Sequence, residues 1–232
     1  MIRTVLYTIF TLFFGIPIAL FGQEEVDSLK VIDNRYLEDQ FYIGVGYNIL
    51  FDGPDAVDQR NLSYNLQAGF IKDIPLNRQR NFGIGLGLGY GINSYYSNMV
   101  ASQAANEISY DIIDDADFNR SKLATHTIEV PFEIRLRTST PSEYRFWRIY
   151  AGAKVGYVFS GRSKLVTNSG NDSFSNDDIQ KFQYGLMLSF GFNTWNIRAY
   201  YGLNPLLKDE ASLAGESIDL KVLRIGLVFY IL

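Results

Sequence analysis

The chain has 232 residues, with 21 Lys and Arg against 25 Asp and Glu, for a net charge of −4. That balance argues against nucleic-acid binding, which calls for a basic face. The absence of Cys removes disulfides, zinc–thiolate centres and thiol nucleophiles together. A single histidine, His126, leaves little for metal or acid–base chemistry. The pairing of 20 Gly with 17 Phe and 16 Tyr suits sheets that are bulky on one face and nearly bare on the other.

The chain opens with Met1-Ile2-Arg3, an apolar run from Val5 to Leu20, then Phe21-Gly22-Gln23. A positive start, an apolar stretch and a small residue before polar sequence describe a secretory signal peptide. Gly15 and Pro17 interrupt the run, which argues against a retained membrane helix. The expected organisation is a signal peptide over 1–22, a polar periplasmic lead-in over 23–39, and one β-domain over 40–232. No Cys follows the apolar run, so a lipid-anchored form is not expected.

From Gln40 onward the hydrophobic period is two, not 3.6. Strand 40–51 sets Phe41, Ile43, Val45 and Tyr47 against Tyr42, Gly44, Gly46 and Asn48. Strand 62–72 sets Leu66, Ala68 and Phe70 against Asn65, Gln67 and Gly69. In 82–94, apolar residues face an unbroken row of Gly83, Gly85, Gly87, Gly89 and Gly91. The clearest alternation is Ile128, Val130, Phe132, Ile134 and Leu136 against Glu129, Pro131, Glu133, Arg135 and Arg137. Strand 145–159 opposes Trp147, Ile149, Val155 and Tyr157 to Arg148, Tyr150, Gly152, Lys154 and Gly156. Strand 180–192 opposes Leu186, Leu188 and Phe190 to Lys181, Gln183, Gly185 and Gly191. Strands 195–203 and 219–232 repeat the split, with Ile197, Leu227 and Phe229 against Arg198, Arg224, Gly226 and Tyr230. Eight strands is the expected count, and the fold class is all-β: an eight-stranded antiparallel up-and-down transmembrane barrel.

The glycines decide which face is inside. Fourteen of the 20 lie on the polar face. Glycine on a solvated strand face only weakens the strand, whereas an eight-stranded bore is just wide enough to be filled by side chains. The glycine row is expected to make room for Glu133, Arg135 and Arg137. The aromatic-rich face then looks outward, where lipid stabilises it and rings near strand ends form girdles. The connections run about 9, 9, 30, 7, 20, 2 and 15 residues, so three of the four on one side are long. That asymmetry is the outer-membrane pattern of short periplasmic turns and long external loops. The long loop 95–124 is left without an assigned conformation.

By parity, the inward charges are Glu129, Glu133, Arg135, Arg137, Arg148, Lys154, Lys181, Arg198 and Arg224. Buried ions must be paired, so Glu129 and Glu133 are expected to bridge to Arg135, Arg148 or Arg224 as a polar plug. A diffusion pore is not expected from so narrow a barrel. The expected lipid-facing set includes Ile128, Val130, Phe132, Ile134, Leu186, Leu188, Phe190, Leu227 and Phe229. No catalytic residue, metal site or cofactor is expected, nor a small-molecule substrate. His126 is followed by Thr127 and Ile128, which fails the histidine–serine spacing of lipid-modifying barrels. Gly85 to Gly91 lacks the spacing and the following helix of a nucleotide fingerprint. Asp111, Asp114, Asp115 and Asp117, and then Asp172, Asp177 and Asp178, read as solvated loop charge, with divalent-cation binding as the alternative.

Three stretches carry a likeness beyond the pattern: Glu38-Asp39-Gln40-Phe41-Tyr42, QRNLSYNLQAGFIKDIPLNRQRNFGIGLGLGYGINSYYSN (59–98), and IEVPFEIRLRTSTPSEYRFWRIYAGAKVGYVF (128–159). They resemble the PorT/SprT family, small outer-membrane barrels of Bacteroidetes. The resemblance is weakest in the loops and after Gly161. It implies an accessory role in type IX protein secretion, a system that supports gliding motility in some members, with other secretion proteins as partners; the lack of any nucleophile–base spacing makes that role a non-enzymatic one. It brings no catalytic residues. Under that reading, contacts are expected on turns such as Lys72–Gln79 and Thr138–Trp147. The alternatives are a lipid-modifying or lipid-binding barrel, or a purely structural one.

Overall fold

A computed structural model describes residues 40–105, 107–113, 118–138, 147–168 and 170–231. The expected signal peptide and lead-in lie outside the described residues. The strands are β1 (Gln40–Phe51), β2 (Tyr64–Pro75), β3 (Phe82–Ser97), β4 (Met99–Ala104), β5 (Glu107–Ile112), β6 (Phe118–Arg137) and β7 (Trp147–Thr167). They continue with β8 (Asn171–Ser175), β9 (Phe182–Phe192), β10 (Trp195–Gly202), β11 (Ser212–Leu213), β12 (Glu216–Ser217) and β13 (Lys221–Ile231).

Eight of these close a ring. The order is β1, β2, β3, β6, β7, β9, β10, β13, and β13 pairs back onto β1 with Tyr42 opposite Tyr230 and Gly46 opposite Gly226. Each barrel strand is bonded antiparallel to the next in the chain, an up-and-down barrel with no free edge. The two-residue connection after β9 turns on Asn193 at φ 54, a left-handed conformation that Asn tolerates.

Connections 52–63, 98–117, 168–181 and 203–220 lie at one end, and 76–81, 138–146 and 193–194 at the other. The first connection is therefore long, where the sequence suggested equality with the second. The reason is a shift of β2 along the chain: it starts at Tyr64, two residues later than expected, and its ladder to β3 runs on through Pro75, three residues later than expected.

Three strands outrun the barrel. A membrane strand needs about 9–11 residues, but β6 has 20 and β7 has 21. Their surplus at the loop end, with the end of β3 and with β8, forms a rib standing above the barrel. Between barrel and rib the register slips: Thr127 opposes Val158 but His126 opposes Ser160, leaving Phe159 as an extra residue. Such a bulge reverses the faces of the strand beyond it. The stretch expected as one loop, 95–124, thus contains the ends of β3 and β6 together with the β4–β5 hairpin.

Candidate functional site

The bore is solid. Glu129, Glu133, Arg135, Arg137, Arg148, Lys154, Arg198 and Arg224 are all buried inside it, together with Asp73. Asp73 falls in a stretch expected as a turn, and it belongs inside because β2 runs three residues beyond Lys72, to Pro75. Lys181 goes the other way: it precedes the first residue of β9 and its side chain is exposed, so it is not a bore residue.

At the turn end, Asp73 accepts from both Arg135 (3.1 Å) and Arg137 (2.7 Å). Glu133 is held by Arg135 at 3.1 Å and Arg198 at 2.6 Å, with the Tyr230 hydroxyl donating at 3.4 Å. One layer up, Glu129 pairs with Lys154 at 2.8 Å and more loosely with Arg224 at 3.9 Å. Arg224 also donates to the side-chain oxygens of Asn48 (2.8 Å) and Asn93 (2.7 Å). Asn65 and Thr125 extend that polar layer through Asn93.

Six buried cations thus meet three buried carboxylates among the described residues. Tyrosine ring faces add negative potential beside four of the cations. Arg135 lies 4.7 Å over Tyr150, Lys154 4.8 Å over Tyr200, and Arg224 5.1 Å over Tyr200. Arg148 stands 5.7 Å over Tyr230. Of the three bridging cations expected, Arg135 reaches Glu133 and Arg224 reaches Glu129. The tyrosines were visible as inward residues but not as partners for charge.

The glycine row of β3 serves a mixed cargo. A Cβ at Gly85 would meet Arg135 Nε at 2.5 Å, and one at Gly91 would meet Glu129 Oε1 at 2.9 Å. At Gly87 and Gly89 the space is taken by Ile71 and Tyr42 instead. The room expected for Glu133 and Arg137 is therefore used by Glu129 and two uncharged side chains. What remains open beside Lys154, Arg198 and Arg224 has space for about one water molecule.

The loop end is closed as well. Met99, Tyr110, Val158, Ile179, Leu207, Leu213, Ile218 and Leu220 form an apolar core over the mouth. The β4–β5 and β11–β12 hairpins are joined there by a parallel bridge from Leu213 to Tyr110. The Tyr110 hydroxyl donates to Asp178 (3.1 Å) and accepts from the Asn176 side-chain amide (3.1 Å). Burial first, and the Asp178 carboxylate with it, holds this hydroxyl far above the ordinary phenol range. Asp178 is thus a structural acceptor, while Asp172 and Asp177 are exposed. Asp114, Asp115 and Asp117 lie outside the described residues.

The outer face of the barrel is apolar apart from Lys72 near the turn end of β2. Ile128, Val130, Phe132, Ile134, Leu186, Leu188, Phe190 and Leu227 all point outward and are exposed, and Phe229 shares that face. A closed barrel with a charged interior and a greasy exterior is stable only in lipid. Residues 21–208 match the outer membrane protein beta-barrel domain family. The chain belongs to that family.

Two aromatic girdles bound the apolar band of this outer-membrane barrel. At the turn end Trp147 stacks on Phe190 at 5.2 Å, and Trp195 meets Phe229 edge-on at 4.4 Å. At the loop end are Tyr47, Tyr157, Phe182 and a cluster of Tyr90, His126 and Phe159. His126 Nδ1 lies 2.6 Å from the Tyr90 hydroxyl. Short turns therefore face the periplasm and the capped mouth faces outward. No curated protein matches the chain. Among solved structures it is similar to Ail, the attachment invasion locus protein of Yersinia pestis, crystallised with the heparin analogue sucrose octasulfate. The identity is 15%, over 84% of this chain and 99% of that one, with a TM-score of 0.36.

Proposed function

We propose that this outer-membrane barrel is a non-enzymatic accessory component of type IX protein secretion, acting through protein contacts. The observation that carries the reading is the resemblance of residues 59–98 and 128–159 to the PorT/SprT barrels. The filled bore is consistent with it. A barrel plugged by Asp73, Glu133 and Arg135 and capped by Leu207 and Leu220 offers cargo no passage, which leaves rims and loops as working surfaces. On the periplasmic side the candidate contacts are the short connections 76–81 and 138–146 with their flanking residues, including Lys72 and Trp147.

The test is a clean deletion of the gene, followed by the distribution of type IX cargo between periplasm and medium. Cargo stranded in the periplasm, restored by the wild-type gene, supports the role. Undiminished secretion in the mutant ends it. A lipid-modifying enzyme is the competing reading, and its one imidazole is His126. Under the secretion reading, His126→Ala leaves the lipid A profile unchanged in mass spectra.

A further inference from the structure

We propose that the outward face of the rib binds the phosphate groups of the outer-leaflet glycolipid. The bulge at Phe159 creates this surface. On the unbroken parity of β7, Gly161, Ser163 and Leu165 would look outward. The extra residue reverses that, so Arg162 and Lys164 share a face with Arg120 and Lys122 of β6.

Lys122 and Lys164 are directly opposite each other across the β6–β7 ladder, and Arg162 sits opposite Ala124. Like charges in facing positions destabilise a sheet, and a bound anion reverses the sign of that term. No carboxylate pairs with these four cations among the described residues. The acid of the adjoining strand, Asp172, pairs with Leu165 and so belongs to the other face. The β8 residues that do share the basic face are Ser173 and Ser175, opposite Lys164 and Arg162. Their hydroxyls are donors suited to phosphate oxygens.

Height decides which anion. The girdle cluster of Tyr90, His126 and Phe159 marks the end of the hydrocarbon. Arg162 lies opposite a position two residues beyond His126, and Lys122 is four beyond it. At about 3.3 Å per residue and a tilt of roughly 40°, these are about 5 and 10 Å above the girdle. The headgroup layer extends about 5–8 Å past the hydrocarbon on each side. The patch is therefore continuous with the lipid-facing band: Arg162 lies within the headgroup layer, and Lys122 and Lys164 start about 2–5 Å above it, a gap their long side chains span.

The experiment uses the full mature chain in nanodiscs of phosphatidylethanolamine, doped with bisphosphorylated or with dephosphorylated lipid A. Lipid retained by the protein is counted by native mass spectrometry. Wild type is expected to favour the bisphosphorylated form about tenfold or more, the sum of contacts from exposed Arg120, Arg162 and Lys164 and from Lys122, half-buried over the Tyr64 and Tyr96 rings. The quadruple variant Arg120→Gln, Lys122→Gln, Arg162→Gln, Lys164→Gln is expected to lose that preference, and Lys181→Gln with Lys208→Gln to keep it. If the quadruple variant does not fold by heat-shift electrophoresis, the pair Arg162→Gln, Lys164→Gln must lower the preference severalfold. Equal retention of both lipids by wild type, or full preference in the folded charge variants, overturns the proposal. So does a soluble sulfated polyanion that displaces no lipid A yet binds the four residues.

Discussion

Two glycines on β7 give a sharp test of how tightly the closed ladder is packed. Gly152 and Gly156 are four residues apart on the same inward face. A Cβ added at Gly152 would run into the Phe132 carbonyl oxygen and lie 2.9 Å from Glu133 Cα, both backbone atoms of β6. Backbone in a closed ladder has little freedom to yield, so Gly152→Ala must spread β6 from β7. Overpacking of this kind costs about 1–3 kcal/mol, and contact with backbone places it at about 3. At Gly156 the nearest atoms are Gln183 O at 3.7 Å and Ile128 O at 3.8 Å, ordinary contacts. Gly156→Ala should stabilise by about 0.5–1 kcal/mol, because alanine loses less backbone entropy in a strand. The two variants should therefore differ by about 3.5–4 kcal/mol, several hundredfold in the folded-to-unfolded ratio. The assay is reversible urea unfolding in phospholipid vesicles, followed by fluorescence of Trp147 and Trp195, the chain's two tryptophans. Were the β6–β7 ladder free to yield at this point, both variants would gain. Equal stability of the two variants refutes the reasoning.

The bore network predicts that Arg135→Met destabilises by about 3 kcal/mol in the same assay. That is the low end for a broken buried pair, since Asp73 keeps Arg137 and Glu133 keeps Arg198. Exposed Lys181→Ala should stay within about 0.5 kcal/mol. On the outer face, Leu188→Arg, at 56% exposure, should cost about 2–4 kcal/mol and deplete the protein from outer-membrane fractions; a surface leucine of a water-soluble barrel would accept the change freely. Deleting residues 209–218, which removes the β11–β12 hairpin, should leave planar bilayers non-conducting, because the charged plug lies below the cap. Steady single-channel currents from that variant would overturn the plugged-bore description.

The barrel was legible because its period is strict where both environments are strict. From Ile128 to Arg137 every residue faces either lipid or the crowded bore, and each environment rejects the other's chemistry. Above the girdle that selection lapses. Asn93, Ser94, Tyr95 and Tyr96 are all buried, by loops on one side and bore on the other, so no alternation marks the end of β3. The bulge at Phe159 is equally silent, since one extra aromatic among Tyr157, Val158 and Phe159 leaves no gap in hydrophobicity. Asp73 was hidden by a different cause: Lys72 before it and Pro75 after it spell a turn, and only the ladder to β3 shows otherwise. The partners of the buried cations were missed because a tyrosine read as apolar volume is also a π face.

The interior chemistry also limits where recognition can occur. Inside the barrel Asp73, Glu129 and Glu133 are each engaged by a buried cation, and the rings of Tyr150, Tyr200 and Tyr230 lie against others, so a ligand selected there would unpair a buried charge. Selectivity must come from the ends. The periplasmic end offers connections of six, nine and two residues, enough for a small contact. The outer end offers two hairpins, a basic rib face and an apolar cap held by Tyr110 through Asn176 and Asp178. Under the two proposals, a protein partner from the periplasm and a lipid of the outer leaflet would meet opposite rims. The solid bore between them gives each rim a rigid base, because any shift of Arg135 disturbs Asp73 and Glu133 together.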